Sequence, residues 1–139
     1  MKIILDVNII LSALIRDSIT RKMILHSEFD LYFPEPSLHK IRKYKGYIIE
    51  KSGLKEKEYL RTMEILFKYI RLVPTEEIKK NWNKAKEIMN HIDQEDIIFI
   101  ATALSLDNSI VWSDDKHFDK QNHVKVFKTK EIEKLIFLK

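Results

Sequence analysis

The 139-residue chain has no cysteine, which excludes disulfides and thiolate metal sites. It has two glycines, Gly46 and Gly53, too few for a glycine-rich loop that cradles phosphates. Nucleotide binding of the P-loop or dinucleotide type is therefore excluded. The apolar run ahead of Asp6, Ile3-Ile4-Leu5, is only three residues long, too short for a signal peptide or a membrane span. The five histidines are scattered without zinc-type spacing, although His91 and Asp93 are close in sequence. No repeat, low-complexity stretch or linker interrupts the chain. Hydrophobic residues make up 45% and charged residues 33%, the balance of a soluble globular protein. The length suits a single domain over residues 1–139 with its own core. A cytoplasmic location is the expectation, with no membrane partner. The net charge of +4 tolerates a polyanionic partner without demanding one.

Hydrophobic patterning alternates strand with helix. Lys2 to Leu5 reads as a fully buried strand, β-branched and apolar on both faces. A helix over Asn8 to Ile15 follows, then a turn or two around Thr20 to His26. Asp30 to Phe33 is a second strand, ended by Pro34 and Pro36. A basic helix is expected from Ser37 to about Lys51, with Leu38, Ile41, Tyr44 and Ile48 on one face. Lys55 to Tyr69 is amphipathic, with Leu60, Met63, Phe67 and Ile70 inward. Arg71 to Val73 is a strand, and Glu77 to Met89 a helix that buries Ile78, Trp82, Ala85 and Met89. Ile97-Ile98-Phe99-Ile100 could be a strand. The Ala-Thr-Ala-Leu continuation and an acidic first turn favour a buried helix. Ile110 to Trp112 and Val124 to Phe127 are strands, and Thr129 can cap a last helix. Trp82 and Trp112 both read as core residues rather than stacking platforms. The alternation implies an α/β fold, a parallel sheet sandwiched by helices.

Three carboxylates stand where apolar elements begin or end. Asp6 follows the first strand, Asp96 opens the Ile97 run, and Asp115 follows Ile110-Val111-Trp112-Ser113. Taken singly, each reads as a helix cap or turn residue. Taken together they read as a site, because strand C-termini and helix N-termini converge on one edge of an open α/β sheet. Carboxylates gathered there repel one another, and Mg²⁺ or Mn²⁺ suits such hard oxygen ligands.

Asp6-Val7-Asn8, Glu95-Asp96 with Ala101-Thr102-Ala103-Leu104, and Ser113-Asp114-Asp115-Lys116-His117-Phe118 resemble the motifs of the PIN-domain family. This family comprises metal-dependent ribonucleases and includes many toxins of toxin–antitoxin pairs. The segment from Phe33 to Ile41 resembles the family's second motif. The resemblance spans essentially the whole chain and implies a three-layer α/β/α sandwich with a central parallel sheet. It implies that Asp6, Asp96 and Asp115 are the catalytic, metal-holding residues, with Mg²⁺ or Mn²⁺ as cofactor. Asn8 and Ser113 would support them by hydrogen bonds. RNA is the implied partner, with an antitoxin protein or a homodimer as further expectations. One position departs from the pattern: the family has an acid just before the apolar position matching Ile41, and here Lys40 stands there. Its ammonium would compete with a metal, and Glu35, Asp93 or Asp114 are the candidate substitute ligands.

Two further readings stay open. An aspartyl-nucleophile phosphatase wants a second carboxylate two residues beyond the nucleophile, and after Asp6 that place holds Asn8, which cannot act as a general acid. A binding module that kept the fold and lost the chemistry is the other reading. For it, Lys40, Arg42, Lys43 and Lys45, interleaved with Tyr44 and Tyr47, would contact RNA phosphates and bases. The same stretch also reads as a solvated basic helix with Tyr44 packed inward. His117 is expected to hydrogen-bond within the turn after Asp115.

Overall fold

The computed structural model describes residues 1–15, 18–89 and 94–137. Five parallel strands form the sheet: β1 (Lys2–Leu5), β2 (Asp30–Pro34), β3 (Ile70–Val73), β4 (Ser109–Trp112) and β5 (Val126–Phe127). Their order is β3-β2-β1-β4-β5, with Leu5 in register with Trp112. The central strand is apolar on both faces because helices cover both, and Ile3, Ile4 and Leu5 are wholly buried.

One helix layer contains α1 (Val7–Leu14), α2 (Ile19–His26), α5 (Glu56–Tyr69) and α9 (Thr129–Phe137), which pack on one another. The other contains α6 (Thr75–Lys79), α7 (Trp82–Ile88) and α8 (Ile97–Ser105). Two short helices, α3 (Leu38–Lys43) and α4 (Lys45–Ser52), lean on α1. The result is the α/β/α sandwich with a parallel sheet that the alternating pattern implied.

The Ile97 run is helical, as its acidic start suggested, and the Thr102 hydroxyl donates back to the Ile98 carbonyl at 2.6 Å. An aromatic chain locks this helix into the core. Phe99 packs at 6.2 Å from Phe33 and edge-on at 6.5 Å from Phe118, and Phe33 meets Phe67 edge-on at 6.1 Å.

Four local expectations are corrected. The basic helix is two helices, α3 and α4, joined at Tyr44. The Tyr44 N–H closes a tight turn on the Ile41 carbonyl at 3.1 Å. The bend keeps Ile41 and Ile48 inside and turns Tyr44 out to solvent. Gly53 then ends α4 at φ 69°, a left-handed conformation that favours glycine.

On α5 the inward face runs through Tyr59, Leu66 and the following Ile70, while Leu60 is exposed. Both faces have helical spacing, and the sequence pattern alone does not separate them. Trp82 is also exposed, because the expected helix breaks at Lys80 and Asn81 and restarts with Trp82 at its first turn. Thr129, finally, lies inside α9 rather than capping it. The Lys128 N–H instead donates to Glu131 at 3.1 Å, and the Thr129 hydroxyl accepts from the Trp112 indole at 3.0 Å.

Candidate active site

The chain leaves β1 for β2 on one side, while β4 pairs with β1 on the other. The carboxyl ends of β1 and β4 therefore flank the point where the winding reverses, the usual crevice for a ligand in this architecture. Asp6 is the first residue beyond β1, and its N–H donates to the Trp112 carbonyl at 3.1 Å. Ser113 is the first residue beyond β4. Its hydroxyl donates to Asp6 Oδ2 at 2.7 Å and accepts the Asp115 N–H at 3.0 Å. Asp115 Oδ1 in turn accepts the His117 N–H at 2.9 Å. Register and hydrogen bonding thus aim two carboxylates at one place. Asp96 comes from the third direction, at the N-terminal end of α8, where the helix dipole favours negative charge.

These groups wall a small polar cleft of about 110 Å³ that includes Asp6, Asn8, Lys40, Glu95, Asp96 and Asp115. Val7, Tyr44 and Phe99 also line it. Two larger hollows, of about 360 and 370 Å³, lie beside Tyr47 and beside Trp82, and neither is walled by a carboxylate. Asp6 is 4% exposed and Asp96 7% exposed.

Burial raises the pKa of Asp6 above the usual carboxylate range, opposed by the Ser113 hydrogen bond and the Val7 N–H. The Asp115 charge adds a smaller upward push, and the Lys40 ammonium a smaller downward one. A buried carboxylate in this condition is one that a bound cation would relieve. Asp96, Asp115 and His117 each offer a ligand atom, and these atoms lie within 4.8 Å of one another. His117 Nδ1 is 3.3 Å from Asp96 Oδ2 and 3.4 Å from Asp115 Oδ1. Two carboxylate oxygens and an imidazole nitrogen at this separation fit a divalent cation. Asp6 shares the cleft but lies outside that tight group.

The other sequence candidates divide cleanly. Ser113 is buried, and its hydroxyl donates to Asp6. Asn8 lines the cleft, but among the described residues no hydrogen bond joins its amide to a carboxylate. Glu35 is exposed at the start of the turn after β2 and does not wall the cleft. Asp114 points toward α9, accepting from the Thr129 N–H at 2.8 Å and from its hydroxyl. Asp93 lies outside the described residues. Of the basic candidates, Lys40 walls the cleft, Arg42 and Lys43 are exposed, and Lys45 pairs with Glu56 at 2.6 Å. Glu95 and the His117 side chain were not read as site residues, and Tyr44 was read as an RNA-contacting aromatic rather than as a wall of the cleft. Glu95 and His117 stand one residue from Asp96 and two from Asp115, a signal that was available. Tyr44 was hidden by the unforeseen helix break.

With this geometry goes a match to the PIN domain family over residues 4–135, and the chain belongs to that family. Its members are generally nucleases. No curated protein matches the chain.

Proposed function

We propose that the protein is a divalent-metal-dependent endoribonuclease that hydrolyses RNA phosphodiesters in the cleft between β1, β4 and α8. The observation that carries this reading is the convergence of Asp6, Asp96 and Asp115, far apart in sequence, on one polar cleft at the sheet's carboxyl edge. Asp96, Asp115 and His117 would hold a Mg²⁺ or Mn²⁺ ion, with Asp6 facing it across the cleft. When bound, the ion lowers the pKa of a water and stabilises charge on the phosphoryl oxygens. The protein's own part is positional. Ser113 fixes the Asp6 carboxylate, and the backbone N–H of His117 holds Asp115 Oδ1. In the hydrolysis the water oxygen bonds to phosphorus as the bond to the leaving ribose oxygen breaks. The water's proton passes toward a carboxylate, and the leaving oxygen is protonated from solvent.

A second reading, a PIN-like module that binds RNA or a protein partner without cutting, is favoured by one observation, the Lys40 ammonium in the cleft wall. One assay separates the two. A labelled single-stranded RNA is incubated with Mn²⁺ and the native chain or Asp6→Asn. Cleavage by the native chain alone supports the nuclease. RNA binding without cleavage in both proteins supports the module.

A further inference from the structure

Among the described residues, Lys40 is the one ammonium in the walls of the acidic cleft. Its side chain is only 23% exposed, and Nζ lies 3.7 Å from Glu95 Oε2. Its positive charge also reaches Asp6. The carboxylates of the cleft are thereby divided into two sets. Asp96 and Asp115 face each other across His117 and form the tight donor group. Of the remaining acids of the wall, Glu95 pairs with the lysine, and Asp6 shares the cleft and feels its charge. A second divalent ion, placed about 4 Å from the first as in two-metal nucleases, would have to take its oxygen ligands from Asp6 and Glu95. It would also have to displace the ammonium from Glu95, against direct charge repulsion.

We infer that Lys40 is a resident cation of the active site: its ammonium stands in for a second divalent ion, leaving one metal site, and contacts a non-bridging oxygen of the scissile phosphate. This rests on the nuclease reading above. A lysine is suited to the task because it presents a compact charge with three donors, and phosphate binding by such a point charge is common. The ammonium brings its charge without needing a metal, and the Glu95 carboxylate holds it at the rim, where a phosphate enters. The consequence is a site with an unusual signature. Removing the lysine improves the binding of metal and impairs the chemistry.

The test is calorimetric titration of the full chain with Mn²⁺, supported by electron paramagnetic resonance of the bound ion, for the native protein, Lys40→Gln, Lys40→Glu and Lys40→Arg. Circular dichroism checks that each variant is folded. One Mn²⁺ per native chain is expected, and two per chain in Lys40→Glu. Lys40→Gln keeps one, bound on the order of five- to tenfold more tightly, because a like charge has gone. At saturating Mn²⁺ its kcat on a single-stranded oligoribonucleotide falls about 10²-fold, the effect of removing one donor aimed at developing charge. Lys40→Arg retains the single site and most of kcat. A merely structural lysine would not tighten the metal while slowing the reaction. Two Mn²⁺ ions in the native chain, or an unchanged kcat in Lys40→Gln, overturn the inference and leave the nuclease reading standing. Absence of Mn²⁺ binding, or binding equal in Asp96→Asn, overturns both.

Discussion

The cleft has two walls built in different ways. One wall is Asp6, Ser113 and Asp115 at the ends of the two neighbouring strands β1 and β4. Buried or half-buried groups there are linked by hydrogen bonds of 2.7–3.1 Å, and the wholly apolar strand β1 lies behind them. The other wall is Lys40, Tyr44 and Glu95, carried by a six-residue helix and by the turn before α8. Lys40 and Glu95 form a 3.7 Å ion pair there, in which the Glu95 side chain is 79% exposed. The first wall is preorganised, since a buried network tolerates little displacement. The second is adjustable, since exposed ion pairs contribute little to stability. On the nuclease reading, the contrast assigns placement of the metal and reception of the substrate to different parts of one small site. Substitutions should therefore affect catalysis, stability and metal affinity in different proportions depending on which wall they strike.

The largest effect belongs to the acids themselves. Asp96→Asn removes a carboxylate from the tight donor group and should reduce Mn²⁺-dependent RNA cleavage by at least ~10²-fold. Its melting temperature without metal should change little, because Asn keeps the shape. Millimolar Mn²⁺ should raise the native melting temperature and leave that of Asp96→Asn unmoved. Equal shifts in the two proteins would put the ion elsewhere and erase the contrast between the walls.

Next comes Ser113→Ala, which strikes the preorganised wall without removing a ligand. The buried Asp6 carboxylate loses its side-chain donor, and the Asp115 N–H loses its acceptor. A loss of about 1–3 kcal/mol in unfolding free energy is expected, with cleavage reduced roughly 10- to 100-fold. Chemical denaturation and a cleavage assay measure the two parts. Loss of activity with no loss of stability would mean that the network is not what fixes Asp6.

The same division explains what the sequence could disclose. Asp6 and Ser113 were legible because each immediately follows an unbroken apolar strand, and strand ends of a parallel sheet share an edge by topology. Asp96 was legible through its position ahead of an apolar helix. The adjustable wall was less so. Tyr44 reached the cleft only because α3 and α4 break at that residue, and the Leu38-Ile41-Tyr44-Ile48 spacing gave no sign of a break. Asp114, a candidate substitute ligand beside Asp115, is drawn toward α9 by tertiary contact with Thr129, and nothing local encodes that contact. Period alone also could not choose between Tyr59 and Leu60 as the inward residue of α5.

A smaller effect, opposite in sign to ordinary mutational damage, is expected for Asp6→Asn in metal-free protein. Burial raises the Asp6 pKa in the folded state, so the ionised carboxylate disfavours folding relative to the protonated one. The stability linked to protonation is fully present below the ordinary carboxylate range and is lost as pH rises through the raised pKa. At neutral pH with chelator, Asp6→Asn should therefore melt slightly above the native protein. That advantage should shrink as pH falls toward 4. An advantage independent of pH would assign the effect to packing rather than to charge.

The smallest effect is expected at Glu95, on the adjustable wall. Its side chain is largely in water, and its 3.7 Å pair with Lys40 is screened, so Glu95→Gln should change unfolding free energy by under about 0.5 kcal/mol. Its influence on metal binding comes through two changes of the same sign. Removing a negative charge from the rim weakens Mn²⁺ binding, and releasing the Lys40 ammonium lets it move closer to Asp6 and weakens that binding further. Both act across a solvated edge where the effective dielectric is high, so together they should raise the Mn²⁺ dissociation constant about two- to fivefold. The positive charge left at the rim should at the same time improve capture of the polyanion. KM for RNA should then fall modestly, and should rise back as salt screens the contact. Calorimetry and steady-state kinetics at two ionic strengths read both quantities. A destabilisation as large as that of Ser113→Ala would show that Glu95 belongs to the rigid wall, and the division of the site would have to be redrawn.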